Sequence, residues 1–144
     1  MIEVPYLAAF AVTRAFLPDM LARRSGHIVC VTSPASYMVW ANACAYVAAR
    51  QALKGFSDAL RVEVARHGLF VSLVVLGTTE TPYWEHNPGS REHVPRGFAP
   101  LTTDAAAAAV MEAIVGERKR VFRPRLFRFL MALEGIAPGI TARG

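Results

Sequence analysis

Several things are scarce in this chain. It has two cysteines in 144 residues, Cys30 inside an apolar run and Cys44 near a helix start. A pair so sparse reads as reduced, buried thiols rather than a disulfide framework, which suits a cytoplasmic location. The four histidines, His27, His67, His86 and His93, show no metal-ligand spacing with cysteine or acid, so no metal site is expected. No uninterrupted apolar run reaches the roughly eighteen residues of a membrane span. Met1 to Phe10 is apolar but lacks a basic lead, and reads as a helix start rather than a signal peptide. Acids are short as well: 11 Asp and Glu stand against 16 Lys and Arg, leaving a net charge of +5.

The hydrophobic share, 53%, suffices for a sizeable core and excludes disorder, and the length suits one domain. From Val4 to Arg24, Leu7, Phe10, Phe16, Leu17, Met20 and Leu21 recur at helical spacing. Pro5 suits the first turn, Pro18 is expected to kink the helix, and Ser25-Gly26 to end it. His27 to Thr32 is a near-continuous apolar run, the pattern of a parallel strand covered on both faces. Ala43 to Arg66 reads as a long helix closed by His67-Gly68, and Leu69 to Leu76 as the next strand, giving a right-handed βαβ unit.

Residues 77–100 then form a long loop with four prolines and three glycines; a structureless stretch of this size is usually functional. Thr102-Thr103-Asp104 caps a helix through Gly116, and Arg120 to Arg123 is a short strand. Pro124 opens a last helix through about Glu134, with Leu126, Phe127, Leu130, Met131 and Leu133 as its apolar side and Pro138-Gly139 ending the order. Arg118, Lys119, Arg120, Arg123, Arg125 and Arg128 make residues 117–136 a basic, amphipathic segment. The favoured reading is a solvated flank on a packed helix; a membrane-surface contact is the alternative, and nucleic acid is not expected.

The chemistry gathers between His27 and Glu63. Ser33 follows the first strand at its C-terminal end, where ligands sit in an open parallel sheet. Tyr46 and Arg50 are four apart and share one helix face. A hydroxyl, a phenol and a cation can therefore converge. A free tyrosine titrates near about 10 and is a poor base at neutral pH. A fixed cation within roughly 4–6 Å favours the phenolate, which can exchange a proton with an alcohol or carbonyl oxygen while a serine holds that oxygen. Hydride must then come from a cofactor, because no side chain supplies it. Spacing alone fits a strand-end serine, a core tyrosine and a solvated arginine better.

The segment Val31-Thr32-Ser33-Pro34-Ala35, the thirteen-residue step from Ser33 to Tyr46, and the run from Ala52 to Arg61 resemble the short-chain dehydrogenase/reductase family. That family carries a strand-end serine and then Tyr-x-x-x-Lys on the next helix, and Thr13 to Pro18 is similar to its Thr-Arg-Ala-apolar-Leu-Pro segment. The resemblance implies an α/β fold with a partial doubly wound parallel sheet of Rossmann type, about three strands with flanking helices. It implies an NAD- or NADP-dependent oxidoreductase acting on a secondary alcohol or ketone. Tyr46 would be the general acid/base, Ser33 the oxygen holder, and Arg50 the cation in the lysine's place. Tyr46 and Arg50 would also meet the cofactor, as would Gly77, Thr79 and Thr81, which match the segment that meets the nicotinamide amide. Tyr83 and Trp84 would begin a substrate lid over 77–100. Helices 4–24 and 43–66 would pair two copies into a homo-oligomer.

Three positions depart from the family pattern. Arg50 offers a planar fork instead of an ammonium and passes no proton. Pro5 aligns with an asparagine that steadies a water-linked proton path, and Leu76 replaces a proline before Gly77. Together they imply a slowed or inactive site. The family's T-G-x-x-x-G-x-G turn, which meets a pyrophosphate, is not in these residues. The chain therefore reads as a single partial domain lacking the N-terminal half, from a truncated gene or fragment, with an open edge on its first strand. A non-catalytic dimerisation module derived from the family is the alternative function.

Overall fold

The computed structural model describes residues 2–93 and 98–136. A π-helical turn over Glu3–Ala8 leads into α1 (Ala9–Arg23). There follow β1 (Gly26–Thr32), α2 (Cys44–Ala65), β2 (Leu69–Leu76), α3 (Tyr83–His86), α4 (Thr103–Val115), β3 (Arg120–Arg123) and α5 (Phe127–Ile136). The three strands are parallel, in the order β1-β2-β3. Thr32 lies opposite Val75 and Leu76 opposite Arg123, so all three strands deliver their C-terminal ends to one rim.

β2 explains why its sequence shows no polar alternation. Leu69, Val71, Leu73 and Val75 pack toward α2, against Leu53, Leu60 and Val64. Val74 points the other way, to Ala109 and Ala113 of α4 and to Val121. Both faces are covered, so an apolar residue is favoured at nearly every position. Truncating the wholly buried Leu73 to alanine would cost about 2–5 kcal/mol. β1 is an outer strand whose far edge has no strand partner among the described residues.

Local turns fix how the elements meet. α1 runs through Pro18 unbroken, and Arg24, not Gly26, takes the left-handed position that ends it (φ 53°). Gly68 closes α2 at φ +76°, and a Cβ there would lie 2.9 Å from the Arg24 carbonyl oxygen. Glycine is thus required by both torsion and space.

Residues 77–93 are not structureless. α3 and a 3₁₀ stretch over Pro88–His93 fill much of the span, and Thr79 bridges to Leu101. Trp84 orders this region: its indole N–H donates to the Thr79 carbonyl at 2.8 Å, and Arg91 lies 5.1 Å from its ring while pairing with Glu80. Residues 94–97 and Pro138-Gly139 lie outside the described residues.

The last helix begins at Phe127, three residues after Pro124. Its expected apolar side divides: Phe127 and Met131 are buried, whereas Leu126 and Leu133 face outward. No helix among the described residues is long and apolar enough to cross a membrane.

Candidate active site

Ser33 leaves β1 in extended conformation (φ −127°, ψ 173°) and caps a short 3₁₀ turn, Pro34–Ser36, by accepting from Ala35 N. The turn is locked from below: Ser36 Oγ donates to the Ser33 carbonyl at 2.8 Å and meets Thr32 Oγ1 at 2.6 Å. Tyr46 sits in the first turn of α2 and donates its hydroxyl to Ser33 Oγ at 2.9 Å. One turn further on, the Arg50 guanidinium lies 5.0 Å from the centre of the Tyr46 ring, over its face. Arg50 Nε is buried and has no hydrogen-bond partner among the described residues. Lys54, the nearest lysine along α2, is engaged elsewhere, donating to Asp58 and lying over the Tyr37 ring.

A cavity of about 630 Å³ opens beside these groups. Ser33, Tyr46, Arg50, Gly77, Thr79, Tyr83 and Trp84 line it, together with Leu76. Thr81 does not; its carbonyl accepts from the Trp84 backbone N–H instead. Gly77 lines the cavity, but the space a Cβ would take is filled by Phe127 Cε2 at 3.0 Å and Pro124 Cδ at 3.2 Å. Its missing side chain therefore admits the chain's own last helix rather than a bound group.

Spacing and resemblance missed other lining residues. Trp40 packs on Tyr46 with ring centres 6.4 Å apart, and Phe98 and Phe127 close the far wall. The signal for Trp40 was its place in the loop between Ser33 and Tyr46. For Phe98 and Phe127, more than fifty residues from Tyr46, no local signal existed. Cys44 also lines the cavity and is exposed, which corrects the expectation of two buried thiols. It stands at the open start of α2, while Cys30 points into the core, where burial pushes its thiol upward. Among the described residues no cluster of three metal-ligating side chains occurs.

Farther along α2, Asp58 accepts from Lys54 at 3.0 Å, Arg61 at 2.8 Å and Arg120 at 2.9 Å. Burial alone would raise its carboxyl; the hydrogen bonds from Arg120, Arg61 and Lys54 outweigh it and hold the group at about 2. Arg61 also donates to the Val71 carbonyl of β2 and the Lys119 carbonyl just before β3.

A parallel sheet with helices on both faces and a ligand-sized cavity at the C-terminal rim defines one class of protein. A short-chain dehydrogenase from Streptomyces avermitilis superposes with a TM-score of 0.77 at 26% identity, over 98% of this chain and 58% of that one. A short chain dehydrogenase from Burkholderia cenocepacia, solved in complex with NADP, shares the fold with a TM-score of 0.76 at 21% identity.

The family described as short chain dehydrogenase matches residues 1–91, and the chain belongs to that family. Estradiol 17-beta-dehydrogenase 11 of Macaca fascicularis is 32% identical over 139 residues, 94% of this chain and 44% of that protein. Epidermal retinol dehydrogenase 2 of Homo sapiens is 28% identical over the same shares. The chain thus spans a little under half the length of these curated relatives.

Proposed function

We propose that this chain carries the proton-transfer side of an NAD- or NADP-dependent oxidoreductase acting on a secondary alcohol or ketone. The observation that carries this reading is the 2.9 Å hydrogen bond from Tyr46 to Ser33, with a guanidinium over the same ring. Ser33 Oγ and Tyr46 Oη together form a two-point grip for one substrate oxygen. Tyr46 gives a proton to that oxygen on ketone reduction and takes one on alcohol oxidation. Arg50 places a fixed positive charge over the same ring and transfers no proton itself.

A nicotinamide dinucleotide, when bound, supplies or accepts the hydride. The Tyr46–Arg50 side fits such a group, because Arg50 Nε is a donor still lacking an acceptor. A ribose hydroxyl offers one. On the Gly77 side, the side-chain direction is filled by Phe127 and Pro124, while Gly77, Thr78 and Thr79 line the cavity.

The test is Tyr46→Phe, assayed for nicotinamide-linked turnover of secondary alcohols and ketones. Loss of about 10²–10⁴-fold in rate is expected, with the fold and cofactor titration unchanged. Turnover equal to the parent's overturns the assignment. Trp40 and Trp84, both on the cavity wall, report cofactor binding by fluorescence.

One observation favours a second reading, a non-catalytic pairing module. Phe10, Val12 and Phe16 on α1 and Val62 on α2 are all exposed, and α1 buries only Thr13. A stable dimer by light scattering that gives no fluorescence response to either dinucleotide would select this reading.

A further inference from the structure

α5 is apolar on two opposite sides. Phe127 and Met131 are 4% and 5% exposed and anchor the helix to the main core, with Leu130 packed beside them. The other side is open: Leu126 is 54% exposed, Phe129 65%, Leu133 49% and Ile136 82%. Steps of three, four and three residues put these four on one continuous stripe along the helix and its lead-in turn. Such a helix normally lies in a large core or in lipid. Single exposed apolar residues need no explanation, but a contiguous stripe marks a contact site.

The charges beside the stripe select the occupant. Arg125 and Arg128 are exposed and border it along one edge, Arg125 in the lead-in turn. Residues 117–136 hold six basic and two acidic residues, in a chain of net charge +5. A second copy of the same face would gather four arginines around one seam, and like charges there oppose pairing. An anionic bilayer surface matches both halves of the pattern, apolar residues below and guanidinium groups at headgroup level. Ten residues rise about 15 Å, half the roughly 30 Å of a hydrocarbon core, so the helix cannot cross. It can lie in the plane.

We propose that α5 is an in-plane membrane foot, by which this chain sits on anionic lipid through Leu126, Phe129, Leu133 and Ile136 with Arg125 and Arg128 at the headgroups. The contact is independent of the oxidoreductase reading, because no Tyr46 chemistry enters it. Phe127 and Met131 hold the foot to the sheet, so docking needs no new folding.

Flotation of the full chain with phosphatidylcholine vesicles, and with vesicles containing phosphatidylserine, tests this directly. The chain should float with the anionic vesicles and lose that binding as salt rises. Arg125→Gln with Arg128→Gln should weaken it by about fivefold per arginine. Phe129→Ser with Leu133→Ser should abolish it while thermal unfolding stays unchanged. Equal recovery from both vesicle types, or flotation indifferent to both double variants, overturns the proposal. So does a lowered unfolding midpoint in the serine variant, which would mean the stripe is packed. Conversion of a dimer to a monomer by that variant would assign the face to a second copy and overturn it equally.

Discussion

The two halves of α2 solve opposite problems. Its first turns carry Tyr46 and Arg50 along a cavity and leave polar capacity open: Arg50 Nε has no acceptor among the described residues, and Cys44 stands exposed. Its later turns carry Asp58 and Arg61, whose polar groups are used up on Lys54, Arg120 and two backbone carbonyls. The later half ties the helix to β2 and to the start of β3, and thereby fixes where the earlier half stands. An unsatisfied buried polar atom costs about 1–3 kcal/mol, and among the described residues Arg50 Nε shares that state with Trp40 Nε1, Tyr37 Oη and Ser57 Oγ. What sets Arg50 and Trp40 apart from the wholly buried Ser57 is that they line the cavity.

The contrast between the two halves can be broken by experiment. The largest effect should be on rate: Tyr46→Phe should remove most turnover yet leave stability within about 0.5 kcal/mol, since among the described residues the phenol bonds only the partly buried Ser33. A large drop in stability would place Tyr46 with the later half. Asp58→Asn should do the reverse, lowering stability by about 1–2 kcal/mol, discounted for partial solvent exposure, with turnover per folded molecule preserved.

The pH dependence carries the sign. The folded-state value is depressed to about 2 from 3.8, so the stability Asp58 contributes is fully present above 3.8 and is lost as pH falls toward about 2. Denaturant midpoints across that window should slope in the parent and flatten in Asp58→Asn. The smallest effect should come from Arg50→Met, which removes a guanidinium that makes no ion pair among the described residues. Chemical denaturation should move by no more than about 0.5 kcal/mol, while cofactor titration by tryptophan fluorescence should weaken.

Much of this was legible from residue order, and what was hidden has a common cause. β2 runs from Leu69 to Leu76, the span its apolar run indicates, because a strand covered on both faces writes its length in its sequence. The Ser33–Tyr46 step was readable because a strand end and the next helix start are local partners. Resemblance placed Gly77 on the cavity wall, but it could not say which neighbour fills the space beside it, which here is Phe127 and Pro124. Residues 77–100 looked structureless because Trp84, Arg91 and Glu80 organise one another by side-chain contacts that leave no period. The split in α5 was hidden for a related reason. Periodicity counts apolar positions around a helix, but which of them meet the core depends on a sheet assembled from distant segments.

Phe127 belongs to two structures at once, since it is a buried anchor of α5 and a wall of the cavity beside Gly77. One aromatic ring therefore stands between the last helix and the ligand chamber. If filling the chamber shifts that ring, it also alters how the helix lies, and a contact that thereby moves the helix alters how well the chamber fills. Thermodynamic reciprocity makes the two effects equal in factor, so measuring either one measures the other.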